Sequence, residues 1–156
     1  MRSPNLAGLG ERVLRNRTLV RSPVRLFRAG LGPLLGKRFL MLEHVGRRSG
    51  FARYVVLEVL ASPDADTLLV ASGFAERAQW FRNVTATPAC HVWHGRDRRR
   101  PATALVLPAE DRDRVLADHR RDHARAWQVL AGVVAEAGVD PARIPIVQLN
   151  LAPRRP

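Results

Sequence analysis

Five consecutive residues, Gly46-Arg47-Arg48-Ser49-Gly50, bring together groups that can hold an anion. Two guanidiniums, a hydroxyl and the backbone N–H groups released by the glycines make a receptor for a phosphate or a carboxylate. A plain turn needs the glycines for positive φ but has no use for paired arginines and a serine. A solvated basic hairpin tip is the competing reading, and the local sequence leaves both open. A second stretch, Ala71-Ser72-Gly73-Phe74 followed by Gln79-Trp80-Phe81-Arg82-Asn83, ends a strand in Ser-Gly just ahead of a helix start. That arrangement presents a hydroxyl and free backbone donors together. Trp80 and Phe81 offer walls for a planar ring, although each taken singly suits core packing equally well.

Other constellations carry less. His119 and His123 stand at i, i+4 on a helix, but acids and arginines surround them and no third ligand is near, so a solvated face is the reading and no metal is expected. Ser72 lies outside any GxSxG elbow, and neither a P-loop nor a Rossmann fingerprint occurs. The single Cys90 sits in an apolar alternating run, which fits a buried structural thiol in a reducing cytoplasm and excludes an internal disulfide. No catalytic residue is assigned.

These residues need a frame. Phe39 to Val45 and Arg53 to Leu60 read as strands flanking the Arg-Arg-Ser loop, which makes a hairpin. A turn over Ser62-Pro63-Asp64-Ala65-Asp66 leads to a strand over Thr67 to Ala71, then a helix over Ala75 to Ala86 that stops before Pro88. Cys90 to Trp93 and Arg100 to Leu107 are the next strands, joined through His94-Gly95-Arg96-Asp97. Pro108 and the acids after it open a helical region with a break near Asp122 and a stop at Gly138; Ile144 to Leu151 is the last strand. Hairpin-joined strands predict an α+β fold, a mostly antiparallel barrel with helices at its side, over residues 38–152. Residues 1–37 form a separate basic amphipathic stretch, with Leu6, Leu9, Val13 and Leu14, then Val24, Phe27 and Leu31, at helical spacing among arginines. It either packs its apolar stripe on the barrel or makes peripheral contact with a membrane.

At 156 residues the chain is one domain with a real core, and 46% hydrophobic with 26% charged residues is ordinary. The net charge of +12 is not, and apart from Lys37 it is carried by arginine. Codon bias, a polyanionic ligand, and a nucleic acid or anionic membrane all account for such a load. With 6% aromatic residues and no nucleic-acid motif, nucleic acid is not the expected partner. No run of apolar residues is long enough for a membrane span.

Taken together, Gly46-Arg47-Arg48-Ser49-Gly50 with Arg53, then Ala71-Ser72, Trp80-Phe81-Arg82-Asn83 and Thr87-Pro88, resemble in order and spacing the signature of the deazaflavin-dependent nitroreductase family. The resemblance runs from about Phe39 to Leu107. It implies a split β-barrel of the flavin-reductase type and coenzyme F420, a deazaflavin with a phosphodiester and a glutamate tail, with FMN or a haem-like ligand as the alternative. By position, Arg47, Arg48 and Ser49 would hold the phosphate and tail. Arg53, Tyr54, Val55, Val56, Leu57 and Glu58 would line the cofactor along the second strand. Val70, Ala71, Ser72 and Gly73 would meet the phospholactyl group, and Gln79, Trp80, Phe81, Arg82 and Asn83 would contact the cofactor from the helix. Glu58 would repel an anionic ligand if it pointed inward. The implied function is a cytoplasmic oxidoreductase, monomer or homodimer, that passes hydride from the reduced cofactor to a small organic acceptor such as a quinone, nitro compound or activated alkene.

Overall fold

The computed structural model describes residues 24–154. The predicted helical spacing of Leu6, Leu9, Val13 and Leu14 lies outside them. Residues 24–28 are helical, and their Phe27 is buried.

Six strands close into a barrel in the order β1-β2-β3-β6-β5-β4, every neighbouring pair antiparallel. They are β1 (Phe39–Val45), β2 (Ala52–Asp64), β3 (Thr67–Ala71), β4 (Ala89–His94), β5 (Asp97–Val106) and β6 (Ile146–Leu151). The β-branched and leucine-rich runs dictate this, because alternate side chains must share one face. Leu40 and Leu42 of β1, Leu68 and Val70 of β3, Val92 of β4 and Val147 and Leu149 of β6 fill the interior. Each such fully buried side chain is worth about 1.5–3 kcal/mol of transfer free energy. Closure leaves no free sheet edge.

Between β3 and β4, helix α1 (Gln79–Ala86) plugs one end of the barrel with Trp80, Phe81 and Val84. The single helix expected over Ala75 to Ala86 is in fact two pieces. A 3-10 turn covers Ala75–Arg77, Ala78 is extended, and α1 then starts. Between β5 and β6, helices α2 (Ala109–Asp122) and α3 (Ala124–Glu136) meet at His123, close to the expected break. Leu116, Val115 and Trp127 cover the outer face of β3 and β6 at Leu69 and Ile146. Gly138, at φ +75°, ends α3, with its N–H donating to Ala135 and the next N–H to Val134. The second strand runs further than expected, to Asp64, with register shifts between Val59 and Asp64 that bend it round the barrel. The fifth begins earlier, at Asp97, and the sixth later, at Ile146.

Much of the arginine load is paired within the fold. Arg100, only 6% exposed, donates to Asp66, to Asp97 at 3.1 Å and to the carbonyl of Ala152 at 2.7 Å. It ties β5 to the β2–β3 turn and to the chain beyond β6. Among the described residues no helix is long and apolar enough to cross a membrane.

Candidate functional site

The β1–β2 loop is closed by its own backbone. Gly46 N–H donates to the Phe51 carbonyl at 2.8 Å, and Gly50 N–H donates to the Gly46 carbonyl at 2.7 Å. Gly50 holds φ +70°, where a side chain would be strained, and a Cβ on Gly46 would come within 2.6 Å of Ser49 Oγ. Ser49 Oγ in turn accepts from the Phe51 N–H at 3.3 Å.

The two arginines of the loop part company. Arg47 turns back onto α1: its Nη1 donates to Gln79 Oε1 at 2.9 Å and to Asn83 Oδ1 at 3.0 Å, and its backbone N–H donates to that same Asn83 oxygen at 3.1 Å. Arg48 is exposed, and neither it nor Arg53 has an ion pair or side-chain hydrogen bond among the described residues. Of the three residues that the resemblance assigns to the phosphate and tail, Arg47 is thus already engaged with α1. Arg47 fastens the loop, while Arg48 and Arg53 are cations without a partner among the described residues.

A groove of about 900 Å³ opens beside this loop. Arg47, Arg48, Ser49, Arg53, Tyr54, Val55, Val56 and Leu57 line one side, and Ala71, Gly73, Gln79, Trp80 and Asn83 another. Five of the expected site residues stand off it, each for a reason visible in the packing. Val70 and Phe81 point into the barrel core. Ser72 is fully buried, and its hydroxyl donates to the Ala75 carbonyl at 2.7 Å, so it presents nothing outward. Arg82 Nε donates to the Glu76 carbonyl at 2.7 Å. Glu58 is exposed on the outer face and accepts from Arg38 at 3.1 Å, which removes the feared repulsion.

The groove also has walls that the motifs did not point to. Leu130, Val133 and Val134 come from α3 and Ala137 from the cap that ends it, with Ala78 and Val24 also lining the groove. His44 is the polar member of this group. It is 4% exposed, and burial first, then the Arg53 charge, depress its imidazole to about 4, so it is neutral near pH 7. Its Nδ1 lies 3.1 Å from Asn83 Nδ2. The signal for it was in the sequence, since the alternation Leu40, Leu42, His44 puts a polar residue on the inward face of β1.

On the outer face of β1, Glu43 gathers Arg99 at 2.8 Å and His91 Nδ1 at 3.2 Å. Burial pushes its carboxyl up, but hydrogen bonds from Arg99 and Tyr54 and the charges of Arg99 and His91 outweigh this and hold it below its ordinary value. Cys90 is buried, which raises its thiol to about 11 and makes it a poor nucleophile. The rings of His119 and His123 lie tilted at 45° with centroids 5.1 Å apart, and among the described residues no cluster of three metal-binding side chains occurs.

The arrangement joins a cationic mouth to an apolar trough, which suits a ligand with an anionic end and a flat uncharged one. Comparisons with known proteins bear on what that ligand is. A family model described as F420H(2)-dependent quinone reductase matches residues 17–147. A protein of Mycobacterium tuberculosis, provisionally named an F420H(2)-dependent quinone reductase, is 38% identical over 79 residues, which is 49% of this chain. That stretch spans 64% of the relative's length. Among solved structures, a provisional pyridoxamine 5'-phosphate oxidase of Listeria innocua superposes with a TM-score of 0.52 at 16% identity, over 83% of this chain and 96% of that one. It shows the split-barrel fold. An F420-H2 dependent reductase aligns with a TM-score of 0.48 at 21% identity, over 73% of this chain and 95% of that one.

Proposed function

We propose a function from one premise: this chain belongs to the F420H(2)-dependent quinone reductase family. Membership implies coenzyme F420 as the cofactor, and the groove residues suit it. The observation that carries the reading is the meeting of two sequence-distant segments, the 46–50 loop and the α1 face of Gln79 and Asn83, on one groove.

When bound, reduced coenzyme F420 supplies the hydride, so the protein's own residues have only to bind, orient and exclude water. Arg48 and Arg53 offer charge-assisted hydrogen bonds to the phosphodiester and the glutamate tail. Arg47, fixed on Gln79 and Asn83, keeps the loop in place so that little ordering is left for binding to do. Val55 and Leu57 of β2, Trp80 of α1 and Leu130 and Val134 of α3 line the trough and would hold a planar ring away from water. The acceptor that receives the hydride is a quinone, in keeping with the family; nitro compounds and activated alkenes accept hydride by the same chemistry. Cytoplasmic location belongs to the proposal, Cys90 being a lone buried thiol.

The test is turnover. The full chain, given reduced coenzyme F420 and a soluble naphthoquinone, is expected to oxidise the cofactor at a rate that depends on the quinone, and to be inert with NADH or NADPH instead. Turnover with a nicotinamide cofactor, or none with F420 at any quinone concentration, contradicts the reading.

A further inference from the structure

We propose that His44 donates its Nε2–H to a phosphate oxygen of the bound cofactor, giving the groove a neutral anchor beside Arg48 and Arg53. The inference rests on the F420 reading above and assigns a binding role to a residue that the motif does not contain.

The tautomer follows from a chain of hydrogen bonds. Asn83 Oδ1 receives two N–H donors from Arg47, the backbone N–H at 3.1 Å and Nη1 at 3.0 Å, so that atom must be the amide oxygen. The other amide atom is then the NH2 group, and it donates to His44 Nδ1 at 3.1 Å. An Nδ1 that accepts carries no proton, and a neutral imidazole must therefore carry its proton on Nε2. That nitrogen has no partner among the described residues, and His44 lines both the groove and a second cavity of about 600 Å³ beside Val45, Thr87, Ala89 and Cys90. A relay that begins at Arg47 thus fixes the tautomer as an Nε2–H donor in a residue that lines the groove.

Protonating His44 would place a hydrogen on Nδ1 against the Asn83 amide, in a buried position near Arg53. The imidazole consequently stays a neutral donor. Arg53 is close enough to act on it electrostatically, and so the acceptor best matched to both is an anionic oxygen at the cationic mouth rather than a carbonyl in the trough.

The test compares two ligands and two variants of the full chain. The ligands are coenzyme F420 and the deazaflavin riboside that lacks the phosphate and tail, titrated by fluorescence. His44→Phe is expected to bind F420 more weakly by about tenfold or more, the loss of one hydrogen bond to a charged group, and to bind the riboside as the wild type does. His44→Gln, which keeps a donor, should recover part of the loss. Equal F420 affinity in a folded His44→Phe, with the wild type still binding F420, overturns this proposal and leaves the cofactor reading intact. Equal weakening for both ligands also overturns it. A wild type that binds no F420 overturns both. Should the variants fail to fold, the wild-type imidazole Hε2 resonance decides: it should move on adding F420 and not on adding the riboside, and a resonance indifferent to F420 overturns the assignment.

Discussion

Asn83 Oδ1 accepts from both the backbone N–H and the guanidinium of Arg47, at 3.1 and 3.0 Å, across 36 residues of sequence. A hairpin tip that could have been a loose basic loop is thereby stapled to the first turns of α1. The same asparagine reaches His44 on β1, so loop, helix and strand share one polar joint.

That joint should behave as a coupled unit. Arg47→Ala and Asn83→Ala, made singly and together, are expected to show a coupling energy of about 1 kcal/mol in urea unfolding, within the range for residues in direct contact. Strict additivity would show that the guanidinium part of the staple carries no energy.

His44 sets a pH window. Its folded value, about 4, lies below the ordinary 6.5, so between them the unfolded chain binds the extra proton. Its contribution to stability is therefore complete above about pH 6.5 and is lost as pH falls toward about 4, at up to about 1.4 kcal/mol per pH unit. Urea unfolding of wild type and His44→Gln across that range should converge as pH falls. Parallel curves would mean that the imidazole is not held neutral by the fold.

Arg100 should be structural. Arg100→Met removes the buried partner of Asp97 and Asp66 and of the Ala152 carbonyl. The expected loss is about 3 kcal/mol, at the low end for a broken buried pair, because exposed Asp66 can reach water. Asp97 also keeps Arg154 at 3.1 Å. Calorimetry measures the loss, and cofactor affinity in the folded variant should be unchanged. A fall in affinity would place Arg100 in the site.

The strands were legible because their residue types alternate toward a core and their turns are marked by Gly46, Gly50 and Gly95. The outward direction of Glu58 was equally legible from its place between Leu57 and Val59, which pack on the core. The split before α1 was not, since Ala75 adopts φ +51° and Ala78 is extended, neither of which alanine announces. Nor could the sequence say which of Arg47 and Arg48 turns inward, because that choice is made by Asn83, a distant residue. The α3 wall was invisible for the same reason: its apolar stripe at Leu130, Val133 and Val134 reads as ordinary helix packing until the barrel closes beside it.

The most direct test of the account is the affinity of coenzyme F420 for the wild type and for Arg48→Glu, read by fluorescence titration with FMN and FAD as controls. Arg48 is exposed and unpaired among the described residues, so its reversal should change stability by no more than about 0.5 kcal/mol. Wild type should prefer F420 to both flavins, and Arg48→Glu should bind it about tenfold to a hundredfold more weakly, the loss of one charge-assisted bond with repulsion added. A preference for FMN, or an unchanged F420 affinity in the folded variant, would contradict it.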